Sequence, residues 1–174
     1  MLEQKLKAII RDVPNFPKDG IIFKDITPIL SYPEVCNAIV NDLVLNAKKL
    51  EVEVIAGIEA RGFLFGPLIA QKMGIPFVPL RKSGKLPYKS YKVDYNLEYG
   101  TASLEMHEDA FTKNARVLIH DDLLATGGTA LAAAALVQNI GQVVGYSFLI
   151  DLEFLSGKQL LSSVTSSIYS IVKY

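Results

Sequence analysis

Residues 51–80, EVEVIAGIEARGFLFGPLIAQKMGIPFVPL, predict a strand, a helix and a second strand in direct succession. The stretch EVEVIAGI is short, rich in β-branched residues and ends near a glycine, as is typical of a buried strand. FLFGPLIAQKMG has helical spacing and a terminal glycine, and IPFVPL is again strand-like. Because parallel neighbouring strands need a crossover, usually a helix, this unit favours a parallel sheet.

The same alternation continues through the rest of the chain. Further strands are predicted at 116–121, 143–151 and 166–172, and further helices at 33–50 and 128–140. This order predicts an α/β fold, a mostly parallel twisted sheet flanked by helices. A length of 174 residues fits one domain, so we expect a single domain over 1–174.

The composition argues against several classes of protein. Basic and acidic residues number 18 each, so the formal net charge is zero and nucleic acid is not an expected partner. Cys36 is the only cysteine, so an internal disulfide is impossible, which fits a reducing cytosol. No hydrophobic run approaches the roughly 20 residues of a membrane span, and we find no signal-peptide pattern. We therefore expect a cytoplasmic protein that does not bind membranes.

Two segments depart from the strand–helix pattern. Residues 81–100 hold one arginine, four lysines and four tyrosines, and only their later half favours a strand, paired with 101–106. A long polar segment inside a domain is usually functional or disordered, so we expect a flexible loop here. Residues 1–13 predict an amphipathic helix, and 14–32 are expected to wrap the surface.

The stretch HDDLLATGGTAL, residues 120–131, places two carboxylates beside a loop suited to an anion. Asp121 and Asp122 follow a predicted strand, and open parallel sheets bind ligands beyond the carboxyl ends of their strands. The loop offers backbone N–H groups, glycines, two threonine hydroxyls and the start of a helix. Two acids suit vicinal hydroxyls or a magnesium ion reached through water. A phosphate with a diol describes a ribose 5-phosphate.

Other interpretations of these residues are less specific. The GK[ST] ending of a Walker loop and the G-x-G-x-x-G dinucleotide pattern are both missing. Without a ligand, the stretch would be an acidic helix start with glycines as turn residues. No spacing is typical of zinc or iron–sulfur binding. His107 and His120 have no recognisable partner, His120 is expected to be at least half-buried, and Cys36 is expected to fill the core.

The stretch VLIHDDLLATGGTA resembles the phosphoribosyl pyrophosphate signature of the type I phosphoribosyltransferase family. The strings FPKDGIIFKDITPIL (16–30), GIEARGFLFGPLIA (57–70) and RKSGKLP…LEYG (81–100) are similar, in order and spacing, to its adenine phosphoribosyltransferase branch. The resemblance covers nearly the whole chain. It implies the type I fold and a purine-salvage reaction in which adenine and phosphoribosyl pyrophosphate give AMP and pyrophosphate through an oxocarbenium-like transition state.

The resemblance also implies how the sugar phosphate and pyrophosphate are bound. The 5-phosphate would be held by Ala125, Thr126, Gly127, Gly128 and Thr129, and the ribose hydroxyls by Asp121 and Asp122. The pyrophosphate would meet Glu59, Ala60, Arg61 and Lys85, and also Arg81, from this chain or a neighbouring subunit. A non-proline cis peptide is placed at Glu59–Ala60. A surface ion pair is the alternative for Arg61. Mg²⁺ would be bound mainly by diphosphate and ribose oxygens with waters, with no protein side chain as a direct ligand.

The base contacts and the proton transfer are implied in the same way. Phe23 would stack on adenine, with core packing as the alternative, and the backbone of Ile22 and Lys24 would bond the edge of the ring. Lys24 stands where the family more often has arginine, a change that only a backbone contact survives. Glu98 would be the catalytic group that moves the ring proton, although an exposed loop acid is the alternative. Tyr99 would act as a lid when the 81–100 loop closes.

Two other functions stay open at the level of the sequence. The 5-phosphate loop is shared by the whole family, so a phosphoribosyltransferase for another base is one alternative. A non-catalytic regulator that senses phosphoribosyl pyrophosphate is the other, although such proteins usually add a DNA-binding module. The resemblance also implies a homodimer.

Overall fold

The computed structural model describes residues 1–96 and 100–174. The strands are β1 (Arg11–Pro14), β2 (Ile22–Asp25), β3 (Val54–Ile58), β4 (Phe77–Lys82), β5 (Ser90–Asn96), β6 (Thr101–His107), β7 (Arg116–Leu124), β8 (Gln142–Asp151) and β9 (Ile168–Lys173). The α-helices are α1 (Leu2–Ile9), α2 (Pro33–Ala47), α3 (Gly62–Met73), α4 (Gly128–Val137) and α5 (Gly157–Leu161). Short 3₁₀ helices cover Thr27–Ser31, Lys48–Leu50 and Glu153–Leu155.

Over the described residues, the central sheet contains seven strands in the order β5-β6-β4-β3-β7-β8-β9. The five strands β4, β3, β7, β8 and β9 are parallel to one another, while β6 runs antiparallel to both β4 and β5. The predicted α/β class and the mostly parallel sheet are therefore confirmed. The carboxyl ends of the parallel strands meet at one edge of the sheet.

Both faces of the sheet are covered, which explains why β3 is buried along its whole length. Helices α1, α2 and α3 cover one face, where Leu6, Ile39 and Phe65 are completely buried. Helix α4 covers the other face, on β5, β6 and β7. Its alanines 132–134 are 5% exposed or less, so small side chains bring this helix close to the sheet.

The N-terminal segment differs from its prediction. The first helix ends at Ile9 rather than Val13, because residues 11–14 pair as β1 with β2 in antiparallel register, Val13 opposite Phe23. The stretch 14–32, expected only to wrap the surface, therefore contains a strand. Four-residue strands are too short for a clear periodic signal, so backbone pairing decides this part of the chain.

The remaining boundaries agree with the sequence within a few residues. The later half of 81–100 forms β5 and pairs with β6, as predicted. Helix α4 ends at Val137, short of the predicted residue 140, and the short helix α5 was not predicted. Among the described residues, no helix is both long and apolar enough to cross a membrane.

Candidate active site

The loops after β3 and β7 lie side by side at the carboxyl edge of the sheet. Gly57 of β3 pairs with His120 of β7, so the two strands deliver their following loops to the same place. A Cβ atom on Gly62 would lie 2.7 Å from the carbonyl oxygen of His120, so this contact requires glycine. The fold therefore brings the predicted pyrophosphate loop against the acid pair.

Asp121 and Asp122 have different surroundings, although they are adjacent in sequence. Asp121 is half-buried, and its Oδ1 accepts a hydrogen bond from the backbone N–H of Asp122 at 2.8 Å. Asp122 is 2% exposed, and its Oδ2 lies 2.8 Å from Nε of Arg61. Burial raises the pKa of both carboxyls; the charge of Asp122 raises the pKa of Asp121 further, while Arg61 opposes the rise at Asp122.

The predicted 5-phosphate loop is a cradle at the start of α4. Gly127 has φ +86° and precedes the helix, a conformation that favours glycine. The bond from the N–H of Leu131 to the carbonyl of Gly127 closes the first turn, so the N–H groups of residues 128–130 precede the helical ladder. A cavity of about 190 Å³ lies here, lined by 123–130 together with Arg61, Asp121 and Phe148. All five predicted loop residues line it.

A second cavity, of about 440 Å³, adjoins the first. Both are lined by Arg61, Asp121 and Thr129. The second is also lined by Glu59 and by residues 82–83, and Tyr95 and Ser103 complete a wall from the β5–β6 hairpin. Asp122 lines neither cavity and reaches the site through its contact with Arg61.

The peptide bond between Glu59 and Ala60 is cis, which confirms that prediction. The Glu59 side chain is 7% exposed and accepts hydrogen bonds from Nζ of Lys85, from Nε of Arg81 at 3.2 Å and from the backbone N–H of Lys82 at 3.0 Å. Burial acts to raise the pKa of Glu59, but these three donors outweigh it and lower the pKa to about 2. Arg81 and Lys85 therefore lie beside the predicted pyrophosphate loop of their own chain.

The predicted base segment lies next to Arg61. The guanidinium carbon of Arg61 is 5.1 Å from the centre of the half-buried Phe23 ring, within the range of a cation–π contact. The Lys24 side chain turns away: its Nζ lies 2.7 Å from Asp12 and 3.9 Å from the centre of the Tyr174 ring. Since neighbouring strand residues point to opposite faces, Lys24 and Phe23 have separate surroundings.

Glu98 and Tyr99 lie outside the described residues, so their predicted roles stay predictions. Tyr95 of β5 and Ala102 of β6, which pair with each other, line the larger cavity.

Comparison with known proteins decides the family. The phosphoribosyl transferase domain matches residues 25–151. The chain belongs to the phosphoribosyltransferase family. It is 49% identical to adenine phosphoribosyltransferase of Cytophaga hutchinsonii, over 100% of this chain and 97% of that protein.

Solved structures of adenine phosphoribosyltransferases are similar over the whole length of the fold. The Thermoanaerobacter pseudethanolicus structure has a TM-score of 0.95 and 46% identity, covering 100% of both chains. The Trypanosoma brucei structure, a complex with AMP, pyrophosphate and ribose-5-phosphate, has a TM-score of 0.89 and 30% identity, covering 99% of this chain and 79% of that one. The type I phosphoribosyltransferase fold and the resemblance to the adenine branch are therefore confirmed.

Two features that support this phosphoribosyltransferase site were not predicted. Glu105 is 9% exposed and accepts hydrogen bonds from Oγ of Ser83 at 2.6 Å and from the N–H of Gly84 at 3.0 Å. A Cβ on Gly157, at the start of α5, would lie only 2.2 Å from the carbonyl oxygen of Ala125. A charged residue within a strand was a signal for Glu105, whereas Gly157 carried none.

The two residues expected to be buried behave as predicted. His120 is fully buried, with Nδ1 3.0 Å from Oγ of Ser147, and burial lowers its pKa to about 4 despite an opposing hydrogen bond. Cys36 is half-buried and packs against the core, and burial raises the pKa of its thiol. Because its pKa is lowered, the His120 imidazole is neutral at physiological pH.

Proposed function

We propose that this phosphoribosyltransferase transfers the phosphoribosyl group of phosphoribosyl pyrophosphate to adenine and so forms AMP and pyrophosphate. The observation that carries the proposal is the pair of adjoining cavities that share Arg61, Asp121 and Thr129. The first is an anion cradle, and the second lies beside the cations Arg81 and Lys85. A sugar with one phosphate and one diphosphate suits this arrangement, and the similarity to adenine phosphoribosyltransferases favours adenine as the acceptor.

The sugar phosphate would be fixed at two points. The N–H groups at the start of α4 and the hydroxyls of Thr126 and Thr129 suit the 5-phosphate, which the helix dipole also favours. Asp121 lines both cavities and would accept hydrogen bonds from the ribose hydroxyls. Asp122 would act indirectly, by holding the guanidinium of Arg61 in position. Fixing the sugar in this way supplies the alignment on which a two-substrate displacement depends.

Pyrophosphate would leave as the bond between C1 of ribose and the diphosphate oxygen breaks, with the electron pair passing to that oxygen. Arg61, Arg81 and Lys85 would stabilise the negative charge that grows on this oxygen, as fixed cations do in such a transition state. Glu59 and Ala60 would form the loop that positions Arg61 for this role. Charge stabilisation and positioning are the main catalytic contributions that we assign to the protein.

Magnesium is proposed to accompany the diphosphate. Within residues 1–96 and 100–174, no three His, Cys, Asp or Glu side chains are grouped to hold a metal ion. The carboxylate of Asp121, which lines both cavities, fits a Mg²⁺ ion contacted through water, with substrate oxygens as its other ligands. When bound, Mg²⁺ would neutralise part of the diphosphate charge.

Adenine would attack C1 through N9, on the face opposite the departing diphosphate. Phe23 would stack on the purine, and the backbone of Ile22 and Lys24 would bond its edge, since the Lys24 side chain is occupied elsewhere. The proton released from the ring would pass to Glu98. Closure of the 81–100 loop, with Tyr99 as its lid, would exclude water, which otherwise captures the oxocarbenium-like sugar.

The acceptor is tested by supplying the purified protein with phosphoribosyl pyrophosphate, Mg²⁺ and one base at a time. Adenine is expected to give the highest kcat/KM among adenine, hypoxanthine, guanine, xanthine and orotate. Faster turnover of another base would contradict the adenine assignment but keep the family. The remaining proposals from family membership are a single domain over residues 1–174, a homodimer and a cytoplasmic location, and sedimentation velocity tests the homodimer.

A further inference from the structure

We infer that Glu59 is an exchangeable counter-ion for the pyrophosphate cations: it holds Arg81 and Lys85 when no diphosphate is bound and releases them to the diphosphate. This inference rests on the proposed function and deepens it. Glu59 would then not contact the diphosphate directly, because the two negative charges repel each other.

One carboxylate organises both cations. Lys85 donates to Oε1 of Glu59, and Arg81 donates through Nε to Oε2 at 3.2 Å. Arg81 also donates through Nη1 to the backbone carbonyl of Lys85 at 3.4 Å, so its guanidinium is bonded to the turn that carries Lys85. The backbone N–H of Lys82 completes the set at 3.0 Å from Oε2. One carboxylate thus places the two cations together at the edge of the site.

The chemistry of these groups suits exchange. The Glu59 side chain is 7% exposed, and a buried carboxylate needs charged or hydrogen-bonding partners. Its lowered pKa keeps it ionised at neutral pH. Guanidinium and ammonium groups bind phosphate oxygens with the same N–H donors that they offer to a carboxylate. Glu59 and a diphosphate therefore compete for the same donors, and Glu59 assists release by taking them back.

Glu105 of β6 provides a matched comparison, because it bonds the turn that lies between Arg81 and Lys85. Its carboxylate accepts hydrogen bonds from Ser83 and Gly84, between the two cations in sequence, whereas Glu59 is the carboxylate that pairs with Arg81 and Lys85. Replacing Glu105 by glutamine removes one negative charge near the site without freeing either cation. It also tests whether loosening the turn at Ser83 and Gly84 is enough by itself to change pyrophosphate binding.

The experiment is calorimetric titration of pyrophosphate, with Mg²⁺ at constant concentration, into the wild-type protein and three variants. Glu59→Gln removes the competing charge and is expected to lower the Kd of pyrophosphate roughly three- to tenfold, that is, by up to about 1.4 kcal/mol. Glu59→Asp keeps the charge and is expected to stay within about twofold of the wild type. Glu105→Gln is expected not to tighten binding. The inhibition constant of pyrophosphate against AMP formation should fall with the Kd of Glu59→Gln.

Equal or weaker binding by Glu59→Gln overturns the inference, as does equal tightening by Glu105→Gln, which would indicate a general effect of net charge. If the wild-type protein does not bind pyrophosphate, the cation assignment itself is wrong. A protein that forms AMP but shows no tightening loses only the counter-ion role. A protein that shows the tightening but forms no AMP keeps the counter-ion role and loses the proposed function.

A measurement on the wild-type protein covers the case in which Glu59→Gln does not fold. With glutamate labelled at ¹³Cδ, the Glu59 resonance is identified by its loss in Glu59→Asp, and the Glu105 resonance by its loss in Glu105→Gln. Adding pyrophosphate is expected to shift the Glu59 resonance more than that of Glu105, because Glu59 loses its cations. A Glu59 resonance that stays in place as the site saturates contradicts the exchange.

Discussion

The Nε atom of Arg61 lies 2.8 Å from Oδ2 of Asp122, which joins the proposed pyrophosphate loop to the acid pair. The same guanidinium lies 5.1 Å from the centre of the Phe23 ring, in the predicted base segment. Arg61 also lines both cavities. A single side chain therefore connects the proposed sugar, pyrophosphate and base positions, and it gives the buried charge of Asp122 a partner.

Replacing Arg61 by alanine is expected to lower kcat/KM for phosphoribosyl pyrophosphate about 100-fold, since the cation proposed to stabilise the leaving group is lost. Steady-state kinetics and pyrophosphate inhibition measure this. Arg61→Lys should recover only part of the rate, because an ammonium cannot pair with Asp122 and cover Phe23 with one planar group. Unchanged pyrophosphate inhibition in Arg61→Ala would show that the loop is wrongly assigned.

Asp121→Asn is expected to stabilise the protein while abolishing most activity. Burial and the neighbouring Asp122 raise the pKa of Asp121. A carboxyl whose pKa is higher in the folded state favours folding at low pH, and that contribution is lost as the pH rises through the raised pKa. At pH 7.5 the variant should therefore melt roughly 3 °C higher, which corresponds to about 1 kcal/mol. The surface change Asp109→Asn is the control, and a lower Tm for Asp121→Asn would refute this account.

Glu59 should have the opposite pH dependence to Asp121, because its ionised form stabilises the fold. Its pKa is lowered from 4.5 to about 2, so its contribution is present above pH 4.5 and is lost as the pH falls towards about 2. Urea denaturation at a series of pH values should show the wild type more stable than Glu59→Gln at pH 7. The difference should shrink below pH 4.5. A difference that does not depend on pH would mean that the ion pairs contribute nothing measurable.

Phe23→Ala is expected to raise the KM for adenine roughly 5- to 150-fold, because stacking contributes about 1–3 kcal/mol for each base. Lys24→Ala should change that KM by less than about threefold, because the Lys24 side chain contacts Asp12 and Tyr174 instead. Initial-rate measurements over a range of adenine concentrations compare the two. A larger effect for Lys24→Ala would show that its side chain, and not only its backbone, contacts the base.

Gly157→Ala is expected to damage the 5-phosphate loop from outside it. The added methyl carbon would lie 2.2 Å from the carbonyl oxygen of Ala125, so the loop or α5 has to move. We expect the KM for phosphoribosyl pyrophosphate to rise about tenfold, equivalent to about 1.4 kcal/mol of lost binding. Gln159→Ala, at an exposed position of the same helix, should be neutral. A KM that is unchanged in Gly157→Ala would show that the loop tolerates the displacement.

The parts of the site that were predictable are local in sequence. Asp121, Asp122 and the loop after them form one strand–loop–helix unit, and strand, turn and helix signals lie within a dozen positions. The parallel order followed from strand–helix alternation in the same way. Even the cis bond at Glu59–Ala60 could be placed, because the resemblance is carried by a continuous string.

The parts that were missed depend on contacts between distant residues. Glu105 reaches Ser83 across a strand pair. Gly157 packs against the carbonyl of Ala125, about 30 positions earlier in the sequence, and no hydrophobic periodicity predicts this contact. The predicted helix wrongly included residues 11–13, because the pairing of residues 11–14 with 22–25 decides the structure there. The direction of the Lys24 side chain likewise depends on Tyr174, at the other end of the chain.

The most direct test of the central proposal is a stoichiometric assay of AMP and pyrophosphate formed from adenine and phosphoribosyl pyrophosphate with Mg²⁺. Equal amounts of the two products are expected, with no reaction without adenine and about 100-fold less of both products with Arg61→Ala. A protein that binds phosphoribosyl pyrophosphate tightly but forms no AMP would contradict it and favour a regulator.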